Sequence, residues 1–173
     1  PLLRRVADRT FNAISVDGDT SPNDTVLLLA NGTSGVDPAR DGALWKQFEA
    51  AVQQVARTLA LAIVADGEGA TKVLEIHVVG GTSEKAAREI GRAIARSTLV
   101  KTAIYGADPN WGRVLAAAGA AGVPLTVDRL TLQAAEGDEW LTLATGGATA
   151  NPGLGSARSV FQQKTIRLRL DLG

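Results

Sequence analysis

Between positions 44 and 63 the large apolar residues Leu44, Phe48, Val52, Val55, Leu59 and Ile63 lie 4, 4, 3, 4 and 4 apart. That is the repeat of one helix face, so the spacing predicts a helix of about five turns, starting near Asp41 and stopping before Gly67. The end of the chain carries the other period. Ile166, Leu168, Leu170 and Leu172 alternate with Arg167, Arg169 and Asp171, the pattern of a strand with one face turned inward. A chain holding both periods belongs to the α/β or α+β classes.

The same two rules read the rest. Leu2, Leu3, Val6 and Phe11 give a short amphipathic helix at the start. Ala13 to Asp19 and Thr25 to Ala30 read as strands on either side of a loop dense in turn formers, with Asn31-Gly32 closing the second. Lys72 to Val79 is a strand with Leu74, Ile76 and Val78 on one face. Ser83 caps a helix whose apolar face is Ala87, Ile90 and Ile94. Leu99 to Tyr105 is either a strand or a continuation of that helix. Asp108 followed by Pro109 marks a further helix start, with Val114, Leu115 and Ala118 toward the core. Arg129 to Ala134 and Trp140 to Ala144 are strands, and residues 145–159, rich in Gly, Ala, Ser and Asn, read as one long loop. No repeat and no interdomain linker stands out, so residues 1–173 are taken as one portion without an internal boundary.

Composition removes several chemistries. Hydrophobic residues make up 45% and charged ones 21% of the 173, a globular rather than a disordered balance. With 18 basic and 18 acidic side chains the net charge is zero, which argues against electrostatic attraction to nucleic acid or to an anionic membrane. No apolar run approaches the ~20 residues that span a bilayer, so a soluble, cytoplasmic protein is expected. The absence of cysteine excludes disulfides, thiolate metal sites and cysteine nucleophiles. His77 is the one histidine, so no site needing two imidazoles is available within this chain, and no metal is expected. A chain beginning at Pro1 and already helical in pattern by Leu2 looks cut rather than initiated, with no signal-peptide pattern to account for it.

Five features invite a functional reading. The acidic loop from Asp17 to Asp24 suggests calcium, but a calcium loop counted from Asp17 needs glycine and glutamate where Pro22 and Leu28 stand; Asp and Asn side chains bonding their own backbone explain it better. Gly67-Glu-Gly-Ala-Thr-Lys72 superficially resembles a phosphate loop, yet it lacks the Gly-Lys pair and runs from a helix into a strand. What it does place is Asp66 and Glu68 among glycines at a helix-to-strand junction, a ligand site or a solvated turn. His77 lies on the strand face opposite Leu74, Ile76 and Val78, without a Ser, Asp or second His at a telling spacing, and reads as structural. The Gly153-Leu-Gly155 pair is too short to carry a claim, and Pro1 would act as a catalytic amine only at a genuine terminus. The residues alone thus give an α/β-type chain and no complete catalytic set.

Three longer strings add to this. Residues 9–32 (Arg9-Thr-Phe-Asn-Ala-Ile-Ser-Val-Asp-Gly-Asp-Thr-Ser-Pro-Asn-Asp-Thr-Val-Leu-Leu-Leu-Ala-Asn-Gly32) closely resemble the β chain of the ornithine acetyltransferases, also called glutamate N-acetyltransferases, of arginine biosynthesis. Asp66-Gly-Glu-Gly-Ala-Thr-Lys72 and Val100-Lys-Thr-Ala-Ile-Tyr-Gly-Ala-Asp-Pro-Asn-Trp-Gly-Arg113 follow in the same order, and the resemblance covers essentially the whole chain. It implies an α/β fold, a layered αββα-like sandwich related to the amino-terminal-nucleophile hydrolases, completed by a separate α chain from the same precursor. Autocatalytic cleavage frees a threonine as nucleophile in that family. The threonine is expected roughly twenty residues before this stretch, so no catalytic residue is expected in residues 1–173, and the family's carboxy-terminal segment is expected beyond Gly173.

The implied activity is ping-pong transfer of an acetyl group from N2-acetylornithine to glutamate through an acetyl-threonine. Acetyl-CoA is a further donor in some members, and no cofactor is implied. An amidase or aminopeptidase of a related fold is the alternative. The implied assembly is a heterotetramer, a dimer of α–β pairs. Glu68 is the position that matches a substrate-binding residue, with an ammonium of ornithine or the amine of glutamate as its partner. Asp19, Thr20, Asn23 and Asp24 match the family signature and read as a hydrogen-bonded loop that supports the site. Lys101, Asn110 and Arg113 lie in a matching string and read as helix capping and packing.

Overall fold

Residues Pro1–Glu68 and Gly69–Gly173 form two compact units in a computed structural model that describes residues 1–150 and 154–173. In the first unit, helix α1 (Leu2–Arg9) buries Val6 and packs along helix α2 (Gly42–Ala65). An ion pair of 3.0 Å between Arg5 and Glu49 joins the two helices. Helix α2 starts where capping chemistry says it should: the Asp41 carboxylate accepts from the N–H groups of Ala43 and Leu44.

Its packing differs from expectation. The buried residues of α2 are Ala56 and Ala60, while Val55, Leu59 and Ile63 are 61%, 53% and 49% exposed. The periodicity is real, but the described residues do not cover most of the stripe it creates. By length and composition α2 would also suffice to cross a membrane, although it holds no unbroken apolar run of that length. Gln53, Gln54 and Arg57 interrupt the apolar run midway along the continuous helix, as polar residues of an amphipathic helix do.

Residues 14–37 form neither helix nor strand. The strands expected at Ala13–Asp19 and Thr25–Ala30 are therefore corrected: Phe11–Ala13 is a 3₁₀ turn, and no strand neighbours either segment among the described residues. A strand is a property of a pair, and the pattern was present without the partner.

The second unit is built on one mixed sheet. Its elements are β1 (Val73–Val79), α3 (Glu84–Arg96), α4 (Thr98–Tyr105), α5 (Trp111–Gly119), β2 (Thr131–Glu136), β3 (Glu139–Thr145), β4 (Ala148–Thr149), α6 (Leu154–Gln162) and β5 (Thr165–Asp171). The strand order is β1-β5-β2-β3-β4, with β1 parallel to β5 and the other neighbours antiparallel. Register aligns the apolar positions: Leu74 with Ile166, Ile76 with Leu168, and Val78 and Leu132 with Leu170. Onto that face the helices bring Ile90, Ile94, Val100, Ile104, Val114 and Phe161, all buried. The opposite face is polar, and one row across four strands reads His77, Arg169, Gln133, Thr142. The class is α/β as expected, with one sheet contributed by the described residues.

Three local expectations change. Residues 99–105 are helical (α4), because Ser97 ends α3 with its N–H on the Ile94 carbonyl and starts α4 by accepting from the Val100 N–H. Helix α5 begins at Trp111 under an Asn110 cap, not at Pro109 under Asp108. Asp108 is engaged otherwise: Ala107 takes a φ of +53° and the Asp108 N–H returns to the Ala103 carbonyl, closing α4. The stretch read as a loop over 145–159 contains β4 and the start of α6; residues 151–153, with Gly153 of the glycine pair, lie outside the described residues.

Candidate functional site

The string 66–72 is the passage from α2 to β1. Helix α2 closes on Asp66, whose N–H reaches the Ala62 carbonyl at 3.0 Å, and on Gly67, whose N–H reaches Val64 at 3.4 Å. Glu68 follows on an exposed turn and makes no hydrogen bond or ion pair among the described residues. Gly69 then takes a φ of +69°, a conformation glycine adopts without steric cost. A Cβ on Gly69 would meet nothing within 4 Å, so the backbone beside the Glu68 carboxylate has open space around it.

The far end of the string is fastened. The Lys72 ammonium donates to the Ile104 carbonyl at 2.7 Å and to the Phe161 carbonyl at 2.6 Å. These carbonyls belong to the last turns of α4 and α6, where helices leave acceptors without intrahelical partners and carry partial negative charge. Burial, and after it the neighbouring Lys164, hold the Lys72 pKa below its ordinary 10.5. This anchoring role of Lys72 was not expected from the sequence. The available signal was a lysine directly ahead of an apolar strand, a place where a charge needs partners.

The loop 17–24 bonds to itself. The Asp17 carboxylate accepts the Asp19 N–H at 2.8 Å, and the Ser21 hydroxyl accepts from Asn23 and Asp24 at 3.3 and 3.0 Å. The side chains of Asp19, Thr20, Asn23 and Asp24 point into solvent-exposed surroundings, and none of them bonds to Glu68 among the described residues. Among those residues no three His, Asp or Glu side chains gather as a metal site would require.

In the 100–113 string, Asn110 caps α5 by accepting the Arg113 N–H at 3.3 Å. The Arg113 guanidinium returns to α4, donating to the Leu99 carbonyl and the Thr102 hydroxyl at 3.1 Å each. Lys101 is exposed on α4. His77 stands on the polar sheet face, 3.6 Å from the Glu75 carboxylate and edge-on to Trp140. Arg169 and Arg167 lie 4.9 and 5.8 Å from that indole, a surface cluster with no nucleophile in it.

A family model described as the ArgJ family matches residues 1–173. The chain is similar to the arginine biosynthesis bifunctional protein ArgJ 1 of Nostoc sp., 43% identical over 99% of this chain and 43% of that protein. It is similar to the glutamate N-acetyltransferase of Methanocaldococcus jannaschii, 45% identical over 99% of this chain and 43% of that protein. Among solved structures it resembles the arginine biosynthesis bifunctional protein argJ from Bacillus halodurans, with a TM-score of 0.89 at 33% identity, over 99% of this chain and 79% of that one. The chain thus spans less than half the length of these curated relatives, but most of the solved chain.

Proposed function

This chain belongs to the ArgJ family, and from that premise we propose that it is part of a glutamate N-acetyltransferase of arginine biosynthesis, moving an acetyl group from N2-acetylornithine to glutamate. The supporting observation is the carboxylate of Glu68, exposed on an open glycine turn and without a partner among the described residues, in a chain with a relative that carries that name. A carboxylate so placed suits an ammonium group, and an amino-acid substrate provides one.

The chemistry needs a nucleophile from outside residues 1–173. A threonine hydroxyl there attacks the acetyl carbonyl, with its own α-amine taking the proton. Donors from the companion α chain hold the developing oxyanion, each worth ~3 kcal/mol of barrier. The C–N bond breaks, ornithine leaves with the transferred proton, and the acetyl group remains on the threonine oxygen. The amine of glutamate then attacks the ester, the C–O bond breaks and the threonine is restored. Glu68 holds the incoming or departing amine near the acyl carbon. Assembly as a dimer of α–β pairs and residence in the cytoplasm complete the proposal.

Incubation of acetyl-labelled N2-acetylornithine with glutamate tests the reaction. Labelled N-acetylglutamate is the expected product, and free acetate as the main product would support hydrolysis instead. Glu68→Gln should raise KM for ornithine-derived or glutamate substrate about tenfold or more, since a charge-assisted contact is worth ~1.5–3 kcal/mol. Unchanged rates in both half-reactions would remove Glu68 from the site. Relatives named bifunctional and relatives named glutamate N-acetyltransferase lie equally near this chain, at 43% and 45% identity. Acetyl-CoA use is therefore read directly, by supplying acetyl-CoA and glutamate alone.

A further inference from the structure

In residues 69–173 the helices cover one face of the sheet, and the opposite face carries charge. Across it run His77, Arg169, Gln133 and Thr142 in register. The positions beside that row hold Arg167 opposite Glu75 and Trp140 opposite Ala135. The indole of Trp140 reaches back toward β5. There the Arg169 and Arg167 guanidinium carbons stand 4.9 and 5.8 Å from the ring centre, and the His77 ring meets the indole edge-on at 6.1 Å. Stacking on an aromatic ring holds a guanidinium in place while leaving N–H groups along its edge to donate.

Both cations are short of acceptors. Arg167 donates to the Gly137 carbonyl, and Arg169 meets only the indole among the described residues. No carboxylate among those residues pairs with either guanidinium. The acids on this face are engaged elsewhere: Glu75 lies 3.6 Å from His77 on the edge strand β1, and Asp171 accepts the Gly173 N–H at 3.1 Å. Like charges gathered at one ring repel each other, and an anion between them removes that cost. Thr142, whose oxygen accepts from Gln133 at 3.3 Å, keeps its own hydrogen to give.

We propose that this sheet face holds an anion site for a phosphate or diphosphate group, bound by Arg167 and Arg169 beside Trp140. Residues two apart on a strand stand about 6.6 Å from each other, so a single carboxylate serves one arginine. A tetrahedral dianion or a diphosphate offers oxygens enough for both. An acidic protein segment is the weaker occupant, because protein interfaces close around an apolar centre and this face offers little apolar surface beyond Trp140.

The site is independent of acetyl transfer, so its test reads binding at the face itself. In the whole assembled protein, isotope-labelled at its tryptophan indole nitrogens, the Trp140 resonance is the reporter, assigned with Trp140→Phe. Trp45 and Trp111 serve as internal references. Pyrophosphate or inorganic phosphate, added at constant ionic strength, should shift the Trp140 resonance saturably. No saturable shift with either overturns the proposal, and so does an equal response to acetate, the mark of general counterion binding. Arg169→Gln should weaken pyrophosphate binding at least about tenfold, the worth of one charge-assisted contact, and Arg4→Gln in the other unit should leave it unchanged. Equal affinity in Arg169→Gln and wild type, or an equal loss in Arg4→Gln, overturns the assignment. Arg167→Gln gives the same reading where Arg169→Gln moves the Trp45 and Trp111 resonances, the sign of a disturbed fold. A response to a polyglutamate peptide without one to pyrophosphate would make the face a protein-docking surface and overturn the phosphate site.

Discussion

Gly80 follows β1 with a φ of +70°, and a Cβ there would stand 2.6 Å from an Asp171 carboxylate oxygen and 3.0 Å from the Gly173 nitrogen. Both the backbone conformation and the close approach require glycine. Gly80→Ala should destabilise the protein by about 1–3 kcal/mol, the usual cost of a strained non-glycine position. Urea denaturation of the whole protein checks this, and a loss under about 0.5 kcal/mol would mean that the turn relaxes around the methyl group. Single residues were legible in sequence to the extent that their role is local. Asp41 and Ser83 cap the helices they precede. Asp108 did not follow its local chemistry, because the end of α4 had already engaged its backbone. Lys72 was not readable as an anchor, since its acceptors at Ile104 and Phe161 lie 32 and 89 positions away.

At the scale of elements, that lysine ties β1 to two helix ends. Lys72→Met removes the ammonium donor from both carbonyls, of which Ile104 keeps the Ala107 N–H, and should lower stability by about 2–3 kcal/mol, by the usual worth of hydrogen bonds to a charged group. A pH signature accompanies the loss. The native Lys72 pKa lies below 10.5 because of burial first and Lys164 second, so on raising the pH the folded state gives up this proton before the unfolded state does. Where the unfolded state binds more protons, stability rises with pH. The wild-type protein should therefore gain stability relative to Lys72→Met as pH climbs through the alkaline window that ends at 10.5. Denaturation midpoints of the two proteins across that window decide it, and a constant difference would mean that Lys72 titrates alike in both states. Elements whose period is satisfied within the chain were foreseen: β1, β3 and β5 to within one residue, β2 to within two, and α3 at its Ser83 start but not at its end. Helix α6 was missed because glycine, alanine and serine dominate its neighbourhood, although Ala157, Val160 and Phe161 form its buried face. Residues 25–30 failed in the opposite sense, with a strand's pattern and no strand beside them among the described residues.

At the scale of the whole molecule the two units differ in kind. Residues 69–173 enclose a core in which Ile90, Ile94, Leu132, Phe161, Ile166 and Leu168 are each at most 1% exposed. Residues 1–68 bury three hydrophobic residues, Val6, Ala56 and Ala60, two of them alanines. Burial of apolar area drives folding at about 25 cal/mol per Å², against a backbone ordering cost of roughly 1–2 kcal/mol per residue. A segment of this length with so few buried side chains falls short of that cost. The sequence carries the apolar pattern of a full core throughout, so composition and periodicity could not reveal that residues 1–68 leave most of their large apolar side chains exposed or only partly buried. Residues 1–173 produced alone should accordingly show hydrogen exchange divided along the chain, with slow amides in β1, β2, β3 and β5 and fast ones through α2. In the whole protein α2 should become protected as well, because the exposed side of Val55, Leu59 and Ile63 is then covered. Equal protection of α2 in the isolated chain and in the whole protein would show that residues 1–68 are stable without further cover, and the stripe on α2 would lose its meaning as an interior surface.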